Sequence, residues 1–181
     1  MNRLFGLILI CSVLTIGCGS SSPMEPSGGT TTSTFTVALS PANEVPPVTN
    51  ADANSAGTAT IALIVTRDDS GGITSATMNF QITVTGLPPG AAVTRAHIHN
   101  GAPGLNAGIF VDTGLAAGDM VIANGSGSVT RNGINVPADR ATAILNNPAG
   151  HYFNVHTALN PDGAIRGQLP APVSAYGGAT R

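Results

Sequence analysis

Apolar and polar residues alternate with a period of two through most of the chain after residue 34. Residues 35–39 (FTVAL) alternate in this way until Pro41 stops the pattern. The same alternation returns at 59–65 and at 78–84, on either side of the turn sequence DDSGG at 68–72. Alternation of period two is typical of half-buried strands, and two such strands around a glycine-containing turn predict a β-hairpin.

Shorter strand patterns follow the hairpin, separated by Gly, Asn and Pro. They lie at 93–99, 108–112, 120–123, 127–131, 151–157 and 164–169. Only residues 137–145 (PADRATAIL) have a helical pattern, with Pro and Asp at the start and Asn-Asn-Pro as the stop. Many short strands with frequent turns predict an all-β fold, an antiparallel β-sandwich of the immunoglobulin-like or Greek-key type with one short helical insert.

The start of the chain has the pattern of an export signal. Residues 4–16 form an apolar run of 13 residues, which is shorter than the about 20 residues that a membrane-spanning helix needs. The run ends in LTIGC (14–18), which resembles the lipobox of bacterial lipoproteins. This resemblance predicts a signal peptide at 1–17, a lipid anchor on Cys18 and a cell-envelope location. The alternative is an ordinary signal peptide with Cys18 incidental.

Composition divides the rest of the chain into a linker, a domain and a tail. Residues 18–34 are rich in Ser, Gly, Pro and Thr, which predicts a flexible tether. The domain is expected at 35–170 and a C-terminal tail at 171–181. Gly19 after Cys18 resembles the sorting signal of outer-membrane lipoproteins. Because the only other cysteine lies in the signal peptide, no disulfide or thiolate metal site is expected in the domain.

The charge and aromatic content exclude several classes of partner. The net charge is −2, and the seven basic residues are arginines scattered singly along the chain, so a nucleic-acid partner is not expected. Aromatic residues make up 4% of the chain and Trp is absent, which argues against a base-stacking or sugar-stacking surface. The chain has no Gly-x-Ser-x-Gly motif, so the usual hydrolase arrangements have no nucleophile.

Four motifs in a fixed order carry a family resemblance. They are NEVPPV (43–48), AHIHNG (96–101), YFNVHT (152–157) and NPDGAIRGQL (160–169). In this order they resemble the CHRD domain family, with the likeness extending over about 35–169. The resemblance implies an extracellular β-sandwich module without a defined biochemical role.

The strand period places several polar side chains on one face. His97 and His99 share a face opposite Ile98, and the polar residues of 152–157 likewise oppose its apolar ones. If these strands are neighbours, their polar members form one patch, which consists of His97, His99, His156, Tyr152, Asn154, Arg166 and Gln168. His151 has the other parity and is excluded from the patch.

The three histidines of the patch are candidate metal ligands. An imidazole pair at His97 and His99, with His156 from a neighbouring strand, gives a three-nitrogen set that suits copper or zinc. The His-Ile-His sequence, with the later Gly-Ala-Ile-Arg-Gly segment, is also similar to copper/zinc superoxide dismutase. Imidazole must be deprotonated to bind metal, so such a site is expected to weaken as the pH falls through ~6.5.

Two other roles for the patch remain open from the sequence. The role that the sequence favours for the histidines is hydrogen bonding to loop backbones as structural struts, and the patch is also a candidate recognition surface for a protein or polysaccharide. Taken together, the residues favour a non-enzymatic binding or scaffolding role at the cell envelope. The alternative is a copper-binding or redox protein that uses His97, His99 and His156.

Overall fold

The computed structural model describes residues 28–176, which form two antiparallel β-sheets packed on a common core. The regular elements in chain order are β1 (Gly29–Leu39), β2 (Ala56–Arg67), β3 (Ile73–Thr85), β4 (Val93–His99), β5 (Ile109–Asp112), β6 (Gly127–Asn135), α1 (Ala138–Asn146), β7 (Tyr152–Thr157), β8 (Ile165–Gln168) and β9 (Val173–Tyr176). One sheet has the strand order β6-β3-β2-β1-β9 and the other has the order β5-β4-β7-β8. The predicted all-β sandwich with one short helix is confirmed.

The predicted hairpin is formed by β2 and β3. Ile61 pairs with Phe80 near the middle of the two strands, and both side chains are buried. In the turn, Asp68 Oδ1 accepts hydrogen bonds from the backbone N–H groups of Ser70 at 2.9 Å and Gly72 at 2.8 Å. The alternating apolar residues therefore line one face, and the turn residues fix the register.

The core lies between the two sheets and joins them. The rings of Phe80 on β3 and Phe153 on β7 stack with their centroids 5.9 Å apart. Helix α1 packs against the same core through Ala141 and Ile144, which are fully buried. The apolar side of β7 thus faces the five-stranded sheet, so its alternate residues must point away from the core.

The first strand begins earlier than the sequence predicts. The composition predicts a tether at residues 29–34, but these residues extend β1 and pair with β2 from Gly29–Arg67 to Thr34–Ala62. Four of these six residues are threonines, and the β-branched side chain of threonine favours extended backbone. At the other end, residues of the predicted tail form β9 and pair with β1.

The predicted strand at 120–123 is wrong. The structure has only an isolated bridge between Ala123 and Ser126 there, although Met120 is buried in the core. The preceding turn is closed by Asp119, whose Oδ2 accepts a hydrogen bond from the backbone N–H of Ala116 at 2.8 Å. The short segment therefore contributes an apolar side chain to the core without joining a sheet.

The predicted signal peptide at 1–17 and Cys18 lie outside the described residues. Within residues 28–176, no helix has the length and hydropathy to cross a membrane.

Candidate functional site

The four-stranded sheet brings the predicted polar patch together. In the register of its strands, His97 pairs with Asn154 and His99 pairs with Tyr152. On the other side of β7, Asn154 pairs with Arg166 and Tyr152 pairs with Gln168. Residues paired across antiparallel strands project to the same face, so the seven side chains share the face of the sheet that points away from the core.

This face is buried rather than open to solvent. Six of the seven patch residues are buried and only Gln168 is partly exposed. Loops cover them: the carbonyl groups of Ala107 and Pro161 contact His99 and His156. The histidines therefore do not lie on an open surface.

The three histidines form a compact cluster. One ring nitrogen from each of His97, His99 and His156 lies within 4.8 Å of the others. The closest pair is His97 Nδ1 and His156 Nε2 at 3.0 Å. The side chains are 2%, 7% and 5% exposed, in that order, so the cluster is shielded from bulk water.

Hydrogen bonds to backbone carbonyls fix which nitrogens face the cluster. His156 Nδ1 lies 2.9 Å from the carbonyl oxygen of Pro161, and His99 Nδ1 lies 2.9 Å from that of Ala107. A carbonyl oxygen only accepts, so each Nδ1 carries the proton and donates it. In the neutral rings, Nε2 of both histidines then has a free lone pair, which is the form that binds metal.

His97 completes the set from the neighbouring position on β4. Its Nδ1 faces His156 Nε2, and its Nε2 lies 3.7 Å from Asp112 Oδ1. In the metal-free protein the Nδ1–H of His97 donates to His156, whose own proton is on Nδ1. With a metal ion at Nδ1, His97 would carry its proton on Nε2 instead, where it would face the Asp112 carboxylate, as is common for metal-binding histidines.

Burial favours the uncharged forms of His97 and His156. Desolvation lowers the pKa of His97 to about 4, and the neighbouring His156 acts in the same direction. Desolvation also lowers the pKa of His156, opposed by its hydrogen bond to Pro161. Both rings are neutral at pH 7. Because their pKa values lie below the ordinary histidine value of 6.5, protons compete with a metal ion for these rings only at a correspondingly lower pH.

Three other patch residues hold the covering loop. The Tyr152 ring stacks on His99, with centroids 4.8 Å apart and planes 6° from parallel. The Arg166 guanidinium lies 4.0 Å from the centroid of the Tyr152 ring and donates to Leu105 O at 3.2 Å. Gln168 Nε2 donates to the carbonyl oxygen of Gly101 at 2.7 Å. These contacts secure the loop that carries the Ala107 carbonyl over the histidines.

Glu44 is a site residue that the sequence analysis missed. The Glu44 side chain is 6% exposed and lies beside Asn154, next to Gly163. A Cβ added to Gly163 would lie 2.7 Å from both carboxyl oxygens of Glu44 and 2.8 Å from Asn154 Nδ2. Burial raises the pKa of Glu44 to about 7, while the charge of Arg166 and hydrogen bonding by Asn154 oppose the shift. The NEVPPV motif that contains Glu44 was the only sequence feature that pointed to it. Strand parity does not predict where the side chain of a loop residue points.

His151 lies apart from the cluster, as its parity predicts. Its Nδ1 lies 2.9 Å from the carbonyl oxygen of Asn147, and its ring packs against Phe110 with centroids 4.9 Å apart. It is buried like the other histidines, so it provides a matched control for substitutions in the cluster.

The two packed antiparallel sheets, with a histidine cluster roofed by loops on the outer face of the smaller sheet, define an all-β sandwich domain. The chain belongs to the CHRD family: the CHRD domain matches residues 35–169, a span that includes all three histidines and Glu44. The resemblance of the four motifs is thereby confirmed. Comparison with curated proteins finds no match, and no solved structure matches.

Proposed function

We propose that this CHRD domain binds one divalent transition-metal ion, copper or zinc, through His97, His99 and His156. The observation that carries the proposal is the orientation of the rings, since each has one nitrogen in the cluster and the other directed at an oxygen. Those outer oxygens belong to Asp112, Ala107 and Pro161. Such outer hydrogen bonds fix the tautomer and orientation of metal-binding histidines.

The distances suit an ion of this size. Zinc–imidazole bonds of about 2.0–2.1 Å place neighbouring ligand nitrogens roughly 3.3 Å apart in a tetrahedral site. The His97–His156 pair is at 3.0 Å, and the whole set lies within 4.8 Å. Small ring movements therefore bring the three nitrogens onto one ion.

The donor atoms favour copper or zinc among the common metals. Imidazole nitrogen suits both ions, whereas calcium and magnesium require oxygen ligands. Residues 28–176 contain no cysteine, so the described domain offers no thiolate to compete for the ion. The convergence of one nitrogen from each ring within 4.8 Å of the others favours this binding role over a purely structural one.

Metal titration of the untagged protein tests the proposal. We expect calorimetry with Zn(II) and Cu(II) at pH 7.5 to show one saturable site per chain. His156→Ala is expected to weaken binding at least 100-fold, because it removes one of three ligands. His151→Ala is the control and should bind as the wild type does. Circular dichroism checks that both variants are folded.

Two results would contradict the metal site. One is the absence of saturable binding by the wild type. The other is weak binding of several ions that His156→Ala leaves unchanged, since this would reflect surface groups rather than the cluster.

We also propose that a lipid on Cys18 holds the domain at the cell envelope, with the outer membrane as the expected location. The support is the LTIGC sequence at 14–18 with Gly19 after it. Labelled fatty acid should be incorporated into the wild type and not into Cys18→Ser, and the variant should move from the membrane fraction to the soluble fraction. A wild type that is soluble and unlabelled would show that the anchor is absent.

A further inference from the structure

Asn154 places a second acceptor atom against the histidine cluster. Its Oδ1 lies 3.0 Å from His99 Nε2. Because His99 donates its Nδ1–H to Ala107, Nε2 of the neutral ring presents a lone pair to an oxygen that also has only lone pairs. Such a contact is stable only with a cation between the two atoms, which is a proton when Nε2 is protonated and would be the metal ion in a loaded site.

The orientation of the Asn154 amide is fixed from its other side. Its Nδ2 faces the Glu44 carboxyl group beneath Gly163. When Glu44 is ionised, turning the amide over would place Oδ1 against the carboxylate oxygens, where it would have no donor. Glu44 thus holds the amide oxygen toward His99, in the way that outer carboxylates orient metal ligands.

We infer that Asn154 Oδ1 is a fourth ligand of the metal ion and that Glu44 is the residue that positions it. This inference rests on the proposed three-histidine site and adds an oxygen to it. An ion bound at about 2.0–2.2 Å from both His99 Nε2 and Asn154 Oδ1 subtends an angle of roughly 90–95° between them. That angle belongs to neighbouring ligands of one ion.

Glu44 also supplies charge to the site. Three neutral imidazoles and an amide leave the full double charge of the ion uncompensated in a buried place. The Glu44 carboxylate, joined to the ion through a single amide group, offsets half of that charge. The Oε1 atom of Glu44 is buried and has no hydrogen-bond partner among the described residues. No hydrogen bond within residues 28–176 therefore explains why this charged oxygen is buried.

The added oxygen selects among oxidation states of the metal. A set of three nitrogens and one oxygen, with a nearby carboxylate, favours the harder divalent ions Zn(II) and Cu(II) over Cu(I), which prefers thiolate or thioether ligands. The site is therefore assigned to divalent ions.

A crystal structure of the zinc-loaded wild type gives the direct test. We expect the zinc ion within about 2.2 Å of Asn154 Oδ1 as well as of three histidine nitrogens. A zinc ion bound by the histidines with Asn154 Oδ1 more than 3 Å away overturns the fourth ligand and leaves the three-histidine site intact. A wild type that binds no zinc overturns both.

Calorimetry of three variants gives an independent test in solution. Asn154→Ala is expected to weaken Zn(II) binding about 10- to 100-fold, whereas Asn154→Asp keeps an oxygen ligand and should stay within tenfold of the wild type. Glu44→Gln keeps a hydrogen-bond acceptor but loses the charge, and should weaken binding about tenfold. Wild-type affinity in Asn154→Ala overturns the ligand role, and wild-type affinity in Glu44→Gln overturns the role of Glu44.

Discussion

The stability of the metal-free Glu44→Gln variant, measured against the wild type, is expected to increase by about 3 kcal/mol between pH 4.5 and pH 8. The pKa of this buried carboxyl is raised from 4.5 to about 7. The folded protein therefore holds the proton more tightly than the unfolded chain does. The stability that this proton contributes is fully present below pH 4.5 and is lost as the pH rises through 7.

The magnitude follows from the two pKa values. The difference between about 7 and 4.5, at 1.36 kcal/mol per pH unit, corresponds to about 3 kcal/mol. Glutamine has nearly the same shape and no titratable proton, so the variant avoids this loss. At pH 4.5 the wild-type side chain is neutral in the folded protein and half ionised in the unfolded chain, so most of the effect has not yet developed and the two proteins should have similar stability.

Denaturant unfolding at pH 4.5, 6.5 and 8 with a metal chelator measures the effect. Histidines whose folded-state pKa is lowered, including His97, lose stability as the pH falls from 6.5 toward 4. They do so in both proteins, and their effect cancels in the difference. A Glu44→Gln difference that is constant from pH 4.5 to 8 would contradict the prediction.

Arg166→Met is expected to destabilise the protein by about 3–5 kcal/mol. The guanidinium is 2% exposed and donates to Asn106 Oδ1 at 3.0 Å and to Leu105 O at 3.2 Å. Methionine fills part of the volume but leaves both acceptors without these donors. It also removes the positive charge that opposes the raised pKa of Glu44, so the buried carboxyl becomes harder to ionise.

Thermal or denaturant unfolding at pH 7.5 measures this loss. Arg140→Met is the matched control, because that exposed arginine also donates to a backbone carbonyl and lies over an aromatic ring. Its loss should be below about 1 kcal/mol, as for most surface substitutions. In a Glu44→Gln background the Arg166→Met loss should shrink, since no carboxylate is left uncompensated. Equal losses for Arg166→Met and Arg140→Met would show that the buried position carries no special weight.

The sequence predicts which side chains share a face of each strand, but it does not predict which loops cover that face. A period of two assigns His97, His99 and His156 to one side of the sheet, and the structure places them together there. Glu44 reaches the site from a loop, and its position depends on packing between segments far apart in the chain. No local pattern encodes such packing, so neither the burial of the histidines nor the contact between Glu44 and Asn154 follows from parity.

The extent of β1 shows a second limit. Its threonine-rich start has the composition of a linker, and it becomes a strand because β2 and β9 supply partners on both sides. Strand formation at such a place depends on long-range pairing more than on local propensity. The contact between Asp112 and His97 could not be predicted for the same reason, because it depends on the pairing of β5 with β4.

If Cys18 carries the proposed lipid, the early start of β1 also limits how far the domain can lie from the membrane. Only the ten residues 19–28 separate Cys18 from the first strand residue, Gly29. Even a fully extended chain of that length spans at most about 35 Å. A lipid on Cys18 would therefore keep the edge of the sandwich at which β1 begins within about 35 Å of the bilayer.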